Sequence, residues 1–213
     1  MNILRKIQKG FLLLIKLDFI ECIKLNLFKK YEGWFLPFRG GYYDIHKTAI
    51  IIINKNASFS FNRKKGKDPF QGHFVMEEGA KLIVNGHFSI ESGGRVLICK
   101  NAALELDSGY IGNNVFIVCK KNIKIGNGAT ISHNLVLRDN DAHEIIDENY
   151  ISIKSIEIGD HVWIGTNVTI LKGVKIGNGA VIGANSLVNK SIPEKTIAAG
   201  NPAKIKKENI RWK

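Results

Sequence analysis

The second half of the chain repeats with a period of six residues. From residue 158 an aliphatic side chain returns at every sixth position, and a smaller side chain stands two places before most of them. The aliphatic positions are Ile158, Ile164, Ile170, Ile176, Ile182 and Val188, and the smaller residues are Val162, Val168, Val174, Ala180 and Ser186. A period of six fits neither an α-helix nor a simple strand. It predicts an all-β fold, a parallel β-helix, in which each hexad forms a short strand and a corner and the coils stack about 4.8 Å apart.

The residue types within the hexads fit this geometry. Each aliphatic residue points into a narrow prism and packs on its counterparts in neighbouring coils, and each such burial contributes about 1.5 to 3 kcal/mol. Glycine follows the aliphatic residue in four hexads, and Asn or Gly recurs near the corners, where positive φ is favourable only for those residue types. The four glycines are Gly159, Gly165, Gly177 and Gly183. We interpret this pattern as structural, since it lacks the βαβ setting of a phosphate-binding loop.

The same period is present upstream, with more interruptions. Two further series of aliphatic residues are spaced six apart, whereas residues 45–106 contain irregular strands with turn-rich corners. The series are Ile111 and Ile117, and then Ile125, Ile131 and Leu137. The β-helix is therefore predicted to begin with looser coils.

These patterns divide the chain into three parts. Residues 45–207 are predicted to form the β-helix, residues 1–44 a basic, amphipathic helical or extended cap, and residues 208–213 a C-terminal tail. Gly200, Asn201 and Pro202 predict a turn that closes the last coil before a short C-terminal helix.

The net charge of +12 lies mostly at the two ends of the chain. Residues 1–30 hold seven basic and two acidic side chains, residues 190–213 hold the same numbers, and the 159 residues between them contribute only +2. A nucleic-acid groove needs a continuous basic track with stacking aromatic residues, which the middle of the chain lacks. The charge distribution disfavours nucleic acid and fits two separate anionic partners.

Chain length and cysteine content limit the number of domains and the redox compartment. The 213 residues fit one domain that buries its own core. Cys22, Cys99 and Cys119 are an odd number without CxxC spacing. We interpret them as reduced thiols and expect an intracellular, cytoplasmic protein.

The N-terminal segment mixes basic and apolar residues. Its longest fully apolar run, Phe11 to Ile15, is too short to cross a bilayer or to act as a secretory signal. Residues 1–30 fit either a helix packed on the rest of the protein or an amphipathic helix at an anionic membrane surface. The pattern alone leaves both interpretations open, and the second would place the protein at the inner face of the membrane.

One interruption of the repeat carries acid and base groups. Leu137 and Ile158 are both inward positions, yet 21 residues separate them where six would suffice. About fifteen residues must therefore leave the prism, and we place this excursion at residues 138–157. Asp139, Asp141 and His143 lie close together at its start. A long excursion from a rigid scaffold favours function, although polar residues on a surface loop are often only solvated.

The hexads, the string DNDAH in the excursion, the following HVWIG and the ending AAGNPAKIKK resemble the left-handed β-helix acyltransferases built on hexapeptide repeats. More narrowly, the chain resembles the sugar and polysaccharide O-acetyltransferases related to the galactoside, maltose and serine acetyltransferases. The resemblance covers residues 111–207. It implies a left-handed prism, acetyl-CoA as donor without a metal, and a homotrimer with active sites between neighbouring prisms.

The resemblance also implies roles in the transfer. His143 matches the catalytic histidine, which would take the proton from an acceptor hydroxyl as that hydroxyl attacks the thioester. Asp141 or Asp139 would orient the imidazole, and Asp141 stands at the more usual family position. His133 and His161 fall outside the inward phase, so they face outward, either into the same substrate cleft or into solvent.

A further set of residues matches the family's coenzyme A site. Trp163 would lie near the thioester, Gly165 and Ala184 would let pantetheine approach the coil, and the basic tail would attract the phosphates of coenzyme A. The tail positions are Lys190, Asn201, Pro202, Lys204, Lys206 and Lys207. Ordinary coil geometry and a solvated basic tail explain the same residues without a ligand.

The function expected from these features is acetyl-CoA-dependent O-acetylation of a sugar hydroxyl in a cell-surface polysaccharide or its precursor. One alternative is N-acetylation of a nucleotide-linked amino sugar. A second is a zinc-dependent hydratase of the carbonic anhydrase type, although His133, His143 and His161 lack that family's spacing. A non-catalytic solenoid would give no reason for the excursion or the GNPAK tail.

Overall fold

The computed structural model describes residues 16–27, 31–63, 69–147 and 149–213. Most of the basic N-terminal segment therefore lies outside the described residues. Within the described ranges the chain forms one α-helix and 22 β-strands. No helix in these ranges is long and apolar enough to cross a bilayer.

The strands form three sheets, each built mainly from every third strand of the chain. The first sheet contains β1 (Trp34–Pro37), β4 (Ser58–Arg63), β7 (His87–Glu91), β10 (Gly109–Ile111), β13 (Ala129–Ile131), β16 (Trp163–Ile164), β19 (Val181–Ile182), β21 (Ile197–Ala199) and β22 (Lys204–Lys207). The second sheet contains β2 (Gly41–Ile45), β5 (Gly72–Met76), β8 (Arg95–Ile98), β11 (Phe116–Cys119), β14 (Val136–Arg138), β17 (Thr169–Ile170) and β20 (Leu187–Val188). The third sheet contains β3 (Ile50–Ile53), β6 (Lys81–Val84), β9 (Ala103–Leu106), β12 (Asn122–Ile125), β15 (Ile156–Ile158) and β18 (Lys175–Ile176).

This strand order describes a β-helix with three faces. Each strand from β1 to β17 pairs in parallel with the third strand after it, so the chain visits the three sheets in turn. Ile170 pairs with Val188, eighteen residues later, which is three hexads. Val96 pairs with Ile117, 21 residues later, because the early coils use longer strands. The predicted parallel β-helix with looser early coils is confirmed.

The core changes residue type along the prism. In the late coils the inward aliphatic positions are buried, and Ile164, Ile170 and Val188 are completely enclosed. In the early coils phenylalanine fills the wider interior, and Phe35 packs edge-on against Phe59 and Phe74. The longer strands thus enclose more volume, which larger side chains occupy.

The corners are stabilised by a ladder of asparagines. Asn134, Asn167 and Asn185 all have φ of 58°, the left-handed conformation that asparagine tolerates. The amide of Asn134 donates to Asn167 over 2.7 Å, and that of Asn167 donates to Asn185 over 3.0 Å.

The glycines that follow the inward residues have a steric role. A Cβ on Gly165 would lie 2.7 Å from the backbone nitrogen of Ala184, and one on Gly177 would lie 2.4 Å from that of Glu194. Both clashes are with backbone of the next coil, so glycine permits the close stacking of coils.

Helix α1 (Phe19–Leu27) packs on the first coil. Leu25 is buried, and the Asn26 amide bonds both the N–H and the carbonyl of Phe35. The other side of α1 exposes Phe19, Ile20 and Ile23.

The C-terminal end differs from the prediction in one respect. Residues 204–207 form β22, antiparallel to β21, and the predicted short C-terminal helix is wrong. The hairpin covers the edge of β21, whose backbone groups would otherwise lack strand partners, whereas so short a helix gains little in water.

Candidate functional site

The excursion leaves the prism at one corner. β14 ends at Arg138 in the second sheet and β15 begins at Ile156 in the third, so residues 139–155 form the connection between these two faces. Its base is pinned by backbone bonds, including one from the N–H of Lys154 to the carbonyl of Asp139 over 2.9 Å.

Asp139 anchors the base of the excursion. Its side chain is completely buried, and its two carboxylate oxygens accept the N–H groups of Lys120 and Lys121, each over 2.7 Å. The Asn140 amide donates to the same carboxylate over 3.0 Å. These hydrogen bonds hold the base of the loop, and Asp139 is not hydrogen-bonded to His143 in this structure.

Asp141 belongs to a second fastening. Its carboxylate is ion-paired with Lys172 and accepts the hydroxyl of Tyr150. The Lys172 ammonium also donates to the carbonyl of Ile151 over 2.8 Å and stands 4.3 Å from the centre of the Tyr150 ring. The hydrogen bonds from Lys172 and then from Tyr150 hold the pKa of Asp141 below its usual range.

We call Asp141, Tyr150 and Lys172 the loop latch, because they tie the excursion to the turn after β17. Neutralising Lys172 as Lys172→Met should raise the pKa of Asp141 toward the ordinary value of about 3.9. Because folding lowers this pKa, the latch stabilises the loop fully above about pH 4, and the stabilisation is lost as pH falls through the folded-state pKa. Carbon-detected NMR titration of the carboxyl groups measures the change.

The matched control is Lys175→Met, which removes an exposed ion pair of 3.2 Å with Glu157. It should leave the pKa of Asp141 unchanged. An unaltered Asp141 pKa in Lys172→Met would contradict the latch.

His143 stands at the exposed outer part of the excursion. It makes no hydrogen bond with another residue of the described ranges, so neither aspartate orients it within a single chain. Asp139 and the loop latch fix the base of the excursion. The imidazole of His143 remains accessible from outside the prism.

Three other residues of the predicted site surround the first sheet. Trp163 points outward from β16 and is 46% exposed. His133 lies at the corner before β14, where its Nδ1 accepts the N–H of Asn113 over 2.9 Å. His161 lies at the corner before β16 and stacks on Trp212, with ring centroids 3.8 Å apart and planes within 4°.

Trp212 was not among the residues identified from the sequence. Its backbone carbonyl lies 3.0 Å from Nε2 of His161, and its ring centroid is 6.0 Å from that of Trp163. The signal in the sequence was one tryptophan in a short, mostly polar tail, since a large aromatic side chain usually packs against a partner.

The fold separates these groups within one chain. His143 extends from the corner between the second and third sheets, whereas Trp163 faces outward from the first sheet. His133 lies between the first and second sheets, and His161 between the third and first. Within one chain, His143 and Trp163 therefore belong to different sides of the prism.

The residues expected to hold coenzyme A lie toward the C-terminal end of the prism. Ala184 is exposed beside Gly165, while Asn201 and Pro202 form the exposed turn of the last hairpin. The lysines of the tail are all solvent-exposed. They are Lys190, Lys204, Lys206 and Lys207. The exposed lysines could therefore attract a polyphosphate to this end of the prism. The close approach of the Ala184 backbone to Gly165 is explained by the stacking of coils alone.

Across the described ranges, no three or more His, Cys, Asp and Glu side chains come together in a group that could hold a metal ion. His133, His143 and His161 in particular lie at three different corners of the prism.

Comparison with known proteins defines the family. Residues 155–190 match the model described as bacterial transferase hexapeptide (six repeats). The crystal structure of the polySia specific acetyltransferase NeuO is 30% identical, covering 86% of this chain and 79% of that protein with a TM-score of 0.55. The chain belongs to the hexapeptide-repeat sugar O-acetyltransferases. The left-handed β-helix and the family implied by the resemblance are confirmed.

Two further polysialic acid O-acetyltransferases are similar to the chain. The polysialic acid O-acetyltransferase of Escherichia coli O1:K1 / APEC is 47% identical over 107 residues, which are 48% of this chain and 35% of that protein. The crystal structure of the polysialic acid O-acetyltransferase OatWY is 27% identical, covering 86% of this chain and 91% of that protein with a TM-score of 0.48. The chain spans 35% and 52% of the length of two curated relatives that it matches.

Proposed function

We propose that the protein is an acetyl-CoA-dependent O-acetyltransferase that acts on a sugar hydroxyl of a cell-surface polysaccharide or its precursor. The similarity to NeuO, at 30% identity across 79% of that protein, is the observation that carries the proposal. The excursion supports it, because a rigid prism presents an exposed histidine on a loop that is fastened at its base and at the latch.

His143 would act as the general base. Its neutral imidazole takes the proton of the acceptor hydroxyl while the hydroxyl oxygen attacks the thioester carbonyl of acetyl-CoA. The tetrahedral intermediate collapses with loss of the coenzyme A thiolate, which receives the proton from the imidazolium. The acetyl group passes directly to the sugar, so no covalent acyl-enzyme forms.

The active unit would be a homotrimer. Closed symmetry with three prisms gives three equivalent interfaces, each pairing the excursion of one protomer with a face of the next. This supplies what the single chain lacks, namely contact between His143 and the surroundings of Trp163. The neighbour would also exclude water from the imidazole.

Acetyl-CoA would bind near the C-terminal end of the prism. Its pyrophosphate and 3′-phosphate would be attracted by the exposed lysines, including Lys190, Lys204 and Lys207. Asn201, Pro202 and Ala184 would contact the pantetheine arm, with Trp163 near the thioester.

The assay that tests this function uses purified protein, acetyl-CoA and glycans. Release of free thiol and a mass increase of one acetyl group on the glycan support transfer. Loss of that acetyl group in mild alkali identifies an ester, whereas an amide from N-acetylation survives. Absence of transfer, together with stoichiometric zinc in the purified protein, would favour the hydratase alternative.

We also propose that α1 contacts an anionic membrane. Phe19, Ile20 and Ile23 form an exposed apolar surface on this helix. Along the sequence, the helix follows the basic N-terminal residues. Replacing Phe19 and Ile23 by serine should reduce co-sedimentation with vesicles of phosphatidylserine and phosphatidylcholine, while Tyr42→Ser, which alters an exposed residue of β2, should not. Equal sedimentation of all three proteins would contradict membrane contact.

A further inference from the structure

A line of outward-facing polar and aromatic side chains runs along the first sheet. The strand register pairs Ser60 with Ser89, Ser89 with Tyr110, Tyr110 with Thr130, and Thr130 with Trp163. These residues alternate with buried positions such as Phe61 and Ile131, so they form one row on the outer surface. Four strand spacings give the row a length of about 19 Å.

Two cavities lie along this row and share part of their lining. One, of about 440 Å³, lies beside Ser60, Ser89 and Tyr110. The other, of about 180 Å³, lies beside Tyr110, Thr130 and Trp163. Both are lined by Tyr110 and Glu91, and the carboxylate-bearing Glu91 is only 4% exposed. The two cavities are therefore adjacent, and we call them, together with the row of side chains beside them, the trough.

The trough has a direction. Beyond Trp163 the row continues through Val181 and Ile197, which offer no hydrogen-bonding side chains. Before Trp163 it offers serine and threonine hydroxyls as well as Tyr110. The polar trough thus extends from Trp163 only toward the N-terminal coils.

The chemistry of the trough fits a sugar chain. Tyr110 and Trp163 are 42% and 46% exposed, and their ring faces can pack on the apolar C–H surfaces of sugar rings. The Ser and Thr hydroxyls along the row can donate hydrogen bonds to sugar oxygens or accept them from sugar hydroxyls. Repeated hydroxyls alternating with apolar ring faces are the property that a polysaccharide presents along its length.

We propose that this trough is an extended subsite for the acceptor chain, running from Trp163 to Ser60, with Tyr110 as its central stacking platform. The inference rests on the proposed acetyl transfer near Trp163 and adds that the acceptor is an oligomer held over several sugar units. The early coils then select the acceptor, while the late coils carry the hexads and the basic tail.

Two measurements on the full chain test the trough. Binding of a length series of sialic acid oligomers, and of glucose oligomers, is followed by calorimetry without acetyl-CoA, and acetyl transfer to the same oligomers is assayed separately. In at least one of the two series, the octamer should bind at least about tenfold more tightly than the monomer of the same sugar. Tyr110→Ala should remove most of this gain, and Tyr110→Phe should retain it because the ring remains.

The matched control is Tyr42→Ala, which removes a similarly exposed tyrosine from β2 in the second sheet. Its binding should equal that of the unaltered protein. The subsite is refuted if no oligomer binds, if monomer and octamer bind equally, or if Tyr42→Ala loses as much as Tyr110→Ala. Length-dependent binding that needs Tyr110, without any acetyl transfer, would support the subsite and refute the proposed function.

Discussion

Replacing His143 by alanine is expected to lower the rate of acetyl transfer by about two to four orders of magnitude. In the proposed mechanism the imidazole is the base that removes the hydroxyl proton, so its loss should slow the attack on the thioester. Because His143 is exposed and makes no hydrogen bond with a described residue, the melting temperature should not change. Initial rates of thiol release, with and without a glycan acceptor, measure the loss.

His46→Ala is the matched control, since His46 is also exposed but precedes β3 in an early coil. It should retain full activity. Full activity in His143→Ala would remove the base role assigned to His143.

The same variant tests whether the site lies between protomers. Trp163→Ala and His143→Ala are each expected to transfer acetyl groups slowly. An equimolar mixture of the two variants, unfolded and refolded together, should recover about one quarter of the normal transfer rate. In a randomly mixed trimer, one interface in four combines an intact His143 with an intact Trp163 of the neighbour. A site within one chain would gain nothing from mixing.

The sequence predicted the late coils well because their chemistry is local and periodic. With strands of only two residues, each hexad fixes one inward position, and Ile164 and Ile170 fall where the pattern requires. The early coils have longer strands of variable spacing, so Phe59 and Phe74 share the core without a common period. Their existence was predictable, but their register was not.

Tertiary partners explain what the sequence could not decide. Asp139 and Asp141 are two residues apart and have the same side chain, yet one bonds the backbone of an adjacent coil and the other pairs with Lys172, 31 residues later. The strand at residues 204–207 likewise depends on a partner, the edge of β21. No spacing within the excursion or the tail encodes these contacts.

Removing the Asp139 carboxylate should therefore cause the largest loss of stability in the excursion. Asp139→Ala is expected to lower the free energy of unfolding by about 3 to 5 kcal/mol. It removes a completely buried carboxylate and leaves the N–H groups of Lys120 and Lys121 without their acceptor. Urea denaturation monitored by tryptophan fluorescence measures the change.

Asp147→Ala is the control, because Asp147 is exposed in the same excursion and accepts one backbone N–H, that of Asn149, over 2.9 Å. It should cost less than about 1 kcal/mol, since water replaces an exposed hydrogen bond. Asp139→Asn keeps one acceptor oxygen and should fall between the two. If Asp139→Ala unfolded no more easily than Asp147→Ala but lost acetyl transfer as completely as His143→Ala, Asp139 would be the orienting carboxylate and the anchoring role would be wrong.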